Sequence, residues 1–175
     1  MSSTIGVQNI AHTNGTVAAT VSSGGKISMT GHVLQVVQGG RTTRVTHNNN
    51  TFSDVGVSAT ITPSSSSSKI LVRLEGTIGN AAAGNQTALK LFRGSTEIGS
   101  GTGADTLNTF FSVFATQSYD ICGVSQSFLD SPSTTSEITY KIQMAAFNST
   151  GSLGGRGDSN AIASPTRLTL MEIGG

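Results

Sequence analysis

Residues Val124–Phe147 read VSQSFLDSPSTTSEITYKIQMAAF. Two apolar-rich runs, Val124–Leu129 and Ile138–Phe147, flank DSPSTTSE, a cluster with no residue that needs burial. In the second run Ile138, Tyr140, Ile142, Met144 and Ala146 fall on one side, and Thr139, Lys141 and Gln143 on the other. Side chains alternate across a strand with period two, so this pattern predicts a half-buried antiparallel strand entered through a polar loop. Together the two runs predict a long hairpin of a β-sandwich. The loop between them has nothing of the make-up of a catalytic site.

The same periodicity extends outward. Val55, Val57, Ala59 and Ile61 alternate with small or polar residues up to Pro63, which cannot donate to a ladder. Ser64–Ser68 reads as a flexible exposed bend. Lys69–Ile78 sets Ile70, Val72 and Leu74 against Arg73 and Glu75 on the opposite face. Thr87–Arg93 turns through Gly94-Ser95 into Thr96–Ile98, a second hairpin. Thr109–Phe114 holds Phe110, Phe111 and Phe114 and predicts a strand buried on both faces. Val33, Leu34, Val36 and Val37 start a strand that Gln38-Gly39-Gly40 interrupts, Ser149–Ser164 reads as a long Gly-rich loop, and Arg167–Ile173 is the last strand. Eight or nine strands after His32, no amphipathic helix and turn signals at roughly 8–12-residue spacing predict an all-β antiparallel sandwich. Residues 1–31 differ. TIGVQNI, TVAATV and KISM are short extended pieces separated by turn signals at Asn14-Gly15 and Ser22–Gly25, too short to build a core alone. The expected division is a β arm over 1–31 and a sandwich head over 32–175.

Four phrases carry a resemblance: FSDVGVSATITPSSSSSKILV, LFRGSTEIGSG, FLDSPSTTSEITYKIQ and the closing RLTLMEI. In this order, from Phe52 to Ile173, they resemble C-terminal domains of bacteriophage fibre and other virion structural proteins, especially those of marine phages. The resemblance implies a virion component made in the host bacterial cytoplasm. It also implies a jelly-roll-type sandwich of the kind seen in homotrimeric C1q/TNF-like heads. The implied partners are further copies of the chain, other virion proteins through residues 1–31, and a host surface receptor or glycan. No catalytic or ligand residue comes with it. The function it points to is a non-enzymatic fibre or spike engaged in host attachment. The alternative is a capsid-decorating protein that stabilises or ornaments the head.

Composition agrees with a surface kept polar by hydroxyls. Charged residues make up 11% of the 175 residues, against about 25% in an average soluble domain, and Ser and Thr fill the gap. Six Arg and four Lys are scattered, with net charge +1, so no basic groove for nucleic acid is visible. No apolar run is long enough to insert into a membrane, and the N-terminus lacks the layout of a signal peptide. The single cysteine, Cys122, excludes an intrachain disulfide and reads as a small buried thiol.

Candidate chemistry is sparse. His12, His32 and His47 have no zinc-ligand spacing, and the five Asp and four Glu form neither a calcium loop nor a carboxylate pair. No GxSxG elbow is present, and the Gly99–Gly103 run lacks the spacing and helix of a dinucleotide loop. No catalytic residue, cofactor or metal is therefore expected. A polysaccharide-degrading tailspike would show acidic pairs in a cleft. One short motif has a binding sense, Arg156-Gly157-Asp158, the form integrins recognise. Recognition by a fixed scaffold is expected in its loops. The candidate surface-binding loop is thus Leu153, Arg156, Gly157 and Asp158, with Asn80–Asn85, Gly99–Asp105 and Asp130–Glu137 as further loops.

Overall fold

The structure, a computed structural model, describes residues 6–21, 23, 25, 27–103, 107–157 and 162–175. These residues form strands and turns, with no helix. Three short strands come first: β1 (Asn9–Ala11), β2 (Val17–Val21) and β3 (Ile27–Ser28) make an antiparallel sheet in that order. It has almost no interior. Ala19 is buried, while Val7, Ile10, Val17 and Ile27 are exposed.

Eleven strands follow: β4 (Val33–Arg41), β5 (Val45–His47), β6 (Ser53–Ile61), β7 (Lys69–Asn80), β8 (Gln86–Arg93), β9 (Thr96–Ile98), β10 (Phe111–Phe114), β11 (Asp120–Asp130), β12 (Ile138–Phe147), β13 (Gly151–Leu153) and β14 (Thr166–Ile173). One sheet runs β4-β14-β7-β11 and the other β6-β12-β8-β10, with β9 beside β8. Setting aside the three-residue strands β5, β9 and β13, the remaining strands number one to eight along the chain. The two sheets then read 1-8-3-6 and 2-7-4-5. Two interleaved Greek keys give this order, and the fold is a jelly-roll-type sandwich.

The inward faces are those the alternation predicts. Val55, Val57, Ala59 and Ile61 of β6 and Tyr140, Ile142 and Met144 of β12 meet Ile70, Val72 and Leu74 of β7 and Leu168 and Leu170 of β14 in one core. Each fully buried aliphatic side chain contributes about 1.5–3 kcal/mol, so this interlayer is what holds the sheets together.

Several expectations are corrected. The runs Val124–Leu129 and Ile138–Phe147 do not form a hairpin. β11 pairs with β7 along its whole length, whereas β12 pairs with β6 and β8 in the other sheet. The polar loop between them crosses the roughly 10 Å gap separating packed sheets. Periodicity says which face of a strand is inward, and it is silent about which sheet holds the strand. Gly39 and Gly40 do not end β4, which pairs with β14 through Arg41. A Cβ on Gly39 would fall onto the Ser58 carbonyl oxygen, so glycine is what lets β4 close over the edge of β6. In β10, Phe111 and Val113 pack against the core while Ser112 and Phe114 are exposed, so the aromatic strand is one-faced. Ser64–Ser68 is an anchored bend: the Ser64 amide and hydroxyl donate to Glu172 Oε1 at 2.7 and 2.6 Å, and Ser68 is buried. Finally, β5 and β13 were not legible as strands.

Candidate recognition end of the sandwich

Strand directions divide the connections between two ends. Residues 81–85, 115–119, 148–150, 154–157 and 162–165 lie at one end. The β6–β7 bend, the β11–β12 crossover and Gly175 lie at the other. The arm enters there too: the Gly31 amide donates to the Gly174 carbonyl at 2.6 Å, and the Gly174 amide to the His32 carbonyl at 2.9 Å. The four candidate loops therefore do not share a face.

At the end away from the arm, the chain leaving β12 does not form one long loop. Gly151–Leu153 becomes β13, inserted between β7 and β5. Leu153 is fully buried in the core and is not a surface residue. Gly151 is required where it stands, because a Cβ would lie 2.6 Å from Thr87 Oγ1 and 2.8 Å from the Ala146 Cβ. Beyond β13, Gly154 adopts φ 79° and the chain turns out and back, with the Ser164 amide donating to the Gly154 carbonyl at 2.9 Å. Polar groups buried beneath are satisfied internally: Ser152 Oγ donates to the Gly155 carbonyl at 2.6 Å, and Asn80 Nδ2 to Thr87 Oγ1 at 3.0 Å.

Arg156 and Gly157 are half-buried rather than held out in solvent, and Asp158 lies outside the described residues. The Arg156 guanidinium carbon sits 5.5 Å from the centroid of the Tyr119 ring. Arg44 Nη1 donates to the Arg156 carbonyl at 2.6 Å. Gly157 packs on the β7–β8 turn so closely that a Cβ would be 2.9 Å from the Ala81 nitrogen. Tyr119 is 47% exposed and has φ 63°, a left-handed conformation uncommon for a bulky residue. Its turn is built around Asp120, whose Oδ2 accepts from the Gln117 amide at 2.8 Å, the Thr116 hydroxyl at 2.9 Å and the Thr116 amide at 2.7 Å. These donors hold the Asp120 carboxyl below its ordinary range. The result is an aromatic ring set in a tight turn with a guanidinium against it.

The remaining polar groups have structural roles. Arg93 Nη1 donates to both Asp130 carboxylate oxygens at 3.0 Å, and the Tyr140 hydroxyl donates to Oδ2 at 2.6 Å. This clamp joins β8, β11 and β12 where the crossover leaves β11. Burial and the Asp130 hydrogen bond push the Tyr140 phenol far above its usual range, so it stays a donor. Glu172 is buried. Burial would raise its carboxyl, but the Ser64 and Gln35 hydrogen bonds outweigh that and leave it below its ordinary value. Cys122 is half-buried, and burial followed by the Asp120 charge pushes its thiol up, the reverse of what a reactive thiolate needs. His12 sits by the β1–β2 turn, His32 at the junction and His47 on β5. Among the described residues no three His, Cys, Asp or Glu gather as metal ligands would.

Sequence reasoning missed Tyr119, Arg44 and Glu172, and it read Asp130 as the start of a candidate loop rather than as the centre of a buried clamp. A buried carboxylate and its partners are far apart in the chain, such as Glu172 and Gln35, and no local pattern marks them.

No protein family matches the chain, and no curated protein matches it. Among solved structures, one from "Structure of infectious bursal disease virus Gx strain" aligns over 95% of this chain at 13% identity and a TM-score of 0.44. This chain spans 45% of the length of that one.

Proposed function

We propose that the chain is a non-enzymatic bacteriophage virion protein, a homotrimeric fibre or spike. In this reading residues 1–31 attach it to the particle and the end bearing Tyr119 and Arg156 meets the host surface. The resemblance of the four phrases motivates the virion assignment and the C1q/TNF-like trimer. The observation that carries the assignment of roles is the polarity of the head. The β1-β2-β3 sheet joins at the end holding Gly174, while the Tyr119–Arg156 pair is fixed at the opposite end. A particle-bound arm thereby directs that pair outward. Aromatic and arginine side chains are the residue types enriched in protein contacts, and Tyr119 is exposed.

The test is adsorption of phage carrying Tyr119→Ala together with Arg156→Ala. Adsorption is expected to fall roughly tenfold, corresponding to about 1.4 kcal/mol, in particles that still contain the protein. Unchanged adsorption would move the assignment to decoration of the head.

A further inference from the structure

Asn14-Gly15 is the only place in the chain where an asparagine precedes a glycine. The pair lies in the Thr13–Gly15 loop that joins β1 to β2, and both residues are exposed. Two backbone hydrogen bonds close the loop: the His12 amide donates to the Thr16 carbonyl at 2.8 Å, and the Gly15 amide to the His12 carbonyl at 2.9 Å. Gly15 has φ 85°, the left-handed residue that ends a three-residue hairpin loop, and a Cβ there would meet nothing within 4 Å. Its peptide is open to water.

The Asn14 side chain folds back over this peptide, its Oδ1 accepting from the Thr16 amide at 3.0 Å. A bond from a side-chain carbonyl to the amide two residues on spans the peptide between them, so it keeps the carboxamide carbon beside the Gly15 nitrogen. Asn49 is a comparison within the same molecule. It too is exposed, and its Oδ1 accepts from the Thr51 amide at 2.9 Å. The residue that follows it is Asn50, whose side chain crowds the nitrogen, and the Asn49 carbonyl is tied to the Ala146 amide of β12 at 2.8 Å. The arm has no such anchor. Its strands are three, five and two residues long, and among its described residues only Ala19 is buried, so the hairpin opens locally at low cost.

We propose that Asn14 is a site of self-modification, the Gly15 nitrogen attacking the Asn14 carboxamide when the arm hairpin opens. Opening frees the Gly15 amide from the His12 carbonyl. The nitrogen then bonds to Asn14 Cγ, the Cγ–Nδ2 bond breaks, and Nδ2 leaves as ammonia with the proton from Gly15. Water, the only co-reactant, opens the resulting cyclic imide. Attack at the side-chain carbonyl restores the ordinary backbone and leaves aspartate at position 14. Attack at the backbone carbonyl leaves isoaspartate, with the chain routed through Cβ. Either product puts a carboxylate in the turn. In the second the backbone gains an atom, and the three-residue loop no longer closes β1 on β2 in register. Asn14-Gly15 is thus a one-way chemical switch on the arm that leaves the head untouched, whatever the arm attaches to.

Peptide mapping by mass spectrometry, on the full chain incubated at neutral and at mildly alkaline pH, tests it. Amide-to-acid conversion at position 14 is expected to run roughly tenfold faster than at position 49, and to quicken as pH rises because the attacking nitrogen must lose its proton. Isoaspartate is expected among the products at position 14. Asn14→Gln lengthens the side chain beyond the ring size that closes readily, and is expected to silence the site while position 49 is unaffected. Conversion at position 14 no faster than at position 49, or ammonia release unchanged by Asn14→Gln, overturns the proposal. Amide exchange reads the consequence. The Val17–Val21 amides are expected to exchange faster in the converted fraction, with those of Ile138–Phe147 unchanged. Conversion that leaves Val17–Val21 exchange as it was overturns the switch.

Discussion

Asp130 shows how a single residue governs the crossover. It is 6% exposed, and two groups from the other sheet, the Arg93 guanidinium and the Tyr140 hydroxyl, converge on it. Removing the carboxylate leaves a half-buried cation and a fully buried hydroxyl with nothing to bind. Asp130→Ala is therefore expected to lower stability by about 3 kcal/mol in urea unfolding, near the lower end for a broken buried pair because Arg93 is partly solvated. Tyr140→Phe removes one hydrogen bond to a charge and keeps the ring in place, and is expected to cost about 2 kcal/mol. Equal losses for the two variants would mean that the arginine contributes nothing. In the sequence Asp130 reads as the first residue of a polar loop, since its burial follows from partners 37 and 10 positions away.

Among the elements, β4 and β13 are the ones whose glycines matter. Glycine within a run usually signals a break, and Gln38-Gly39-Gly40 reads that way. In the fold Gly39 is the point of closest approach between β4 and the Ser58 carbonyl of β6. Gly39→Ala is expected to force the two edges apart and cost about 3 kcal/mol, the upper range for overpacking, seen as a drop in melting temperature. A melting temperature within error of the wild type would show that β4 can shift without loss. β13 makes the complementary point. Gly151, Ser152 and Leu153 have no alternation and little strand propensity, yet all three are buried because β7 and β5 flank them. Their strand character comes from the neighbours.

For the whole molecule, the separation of arm and head is the main expectation. The buried core residues all lie at Val55 or later in the chain, apart from Ala19 of the arm. Deleting residues 1–31 is therefore expected to leave a cooperatively folded sandwich that no longer attaches to the particle. The losses would be local: the Gly31–Gly174 hydrogen bond and the contact of Gly174 with the Met29 carbonyl. Circular dichroism and a urea transition check the fold, and particle incorporation checks attachment. An unfolded truncation would make the arm part of the core.

The sequence by itself determined the class of fold and the inward face of nearly every long strand. Alternation with period two is a local property, and Val55–Ile61, Ile70–Leu74 and Ile138–Met144 each bury the residues it selects. It also determined the hairpin of Thr87–Arg93 with Thr96–Ile98, because a tight turn joins strands that adjoin in the chain. Tertiary structure alone decided that β11 and β12 lie in different sheets, that Leu153 is core, and that Arg156 rests on Tyr119. Each of these depends on contacts between distant segments. Their free energy comes from burial and register across strands, and no window of neighbouring residues records which distant strand will lie alongside.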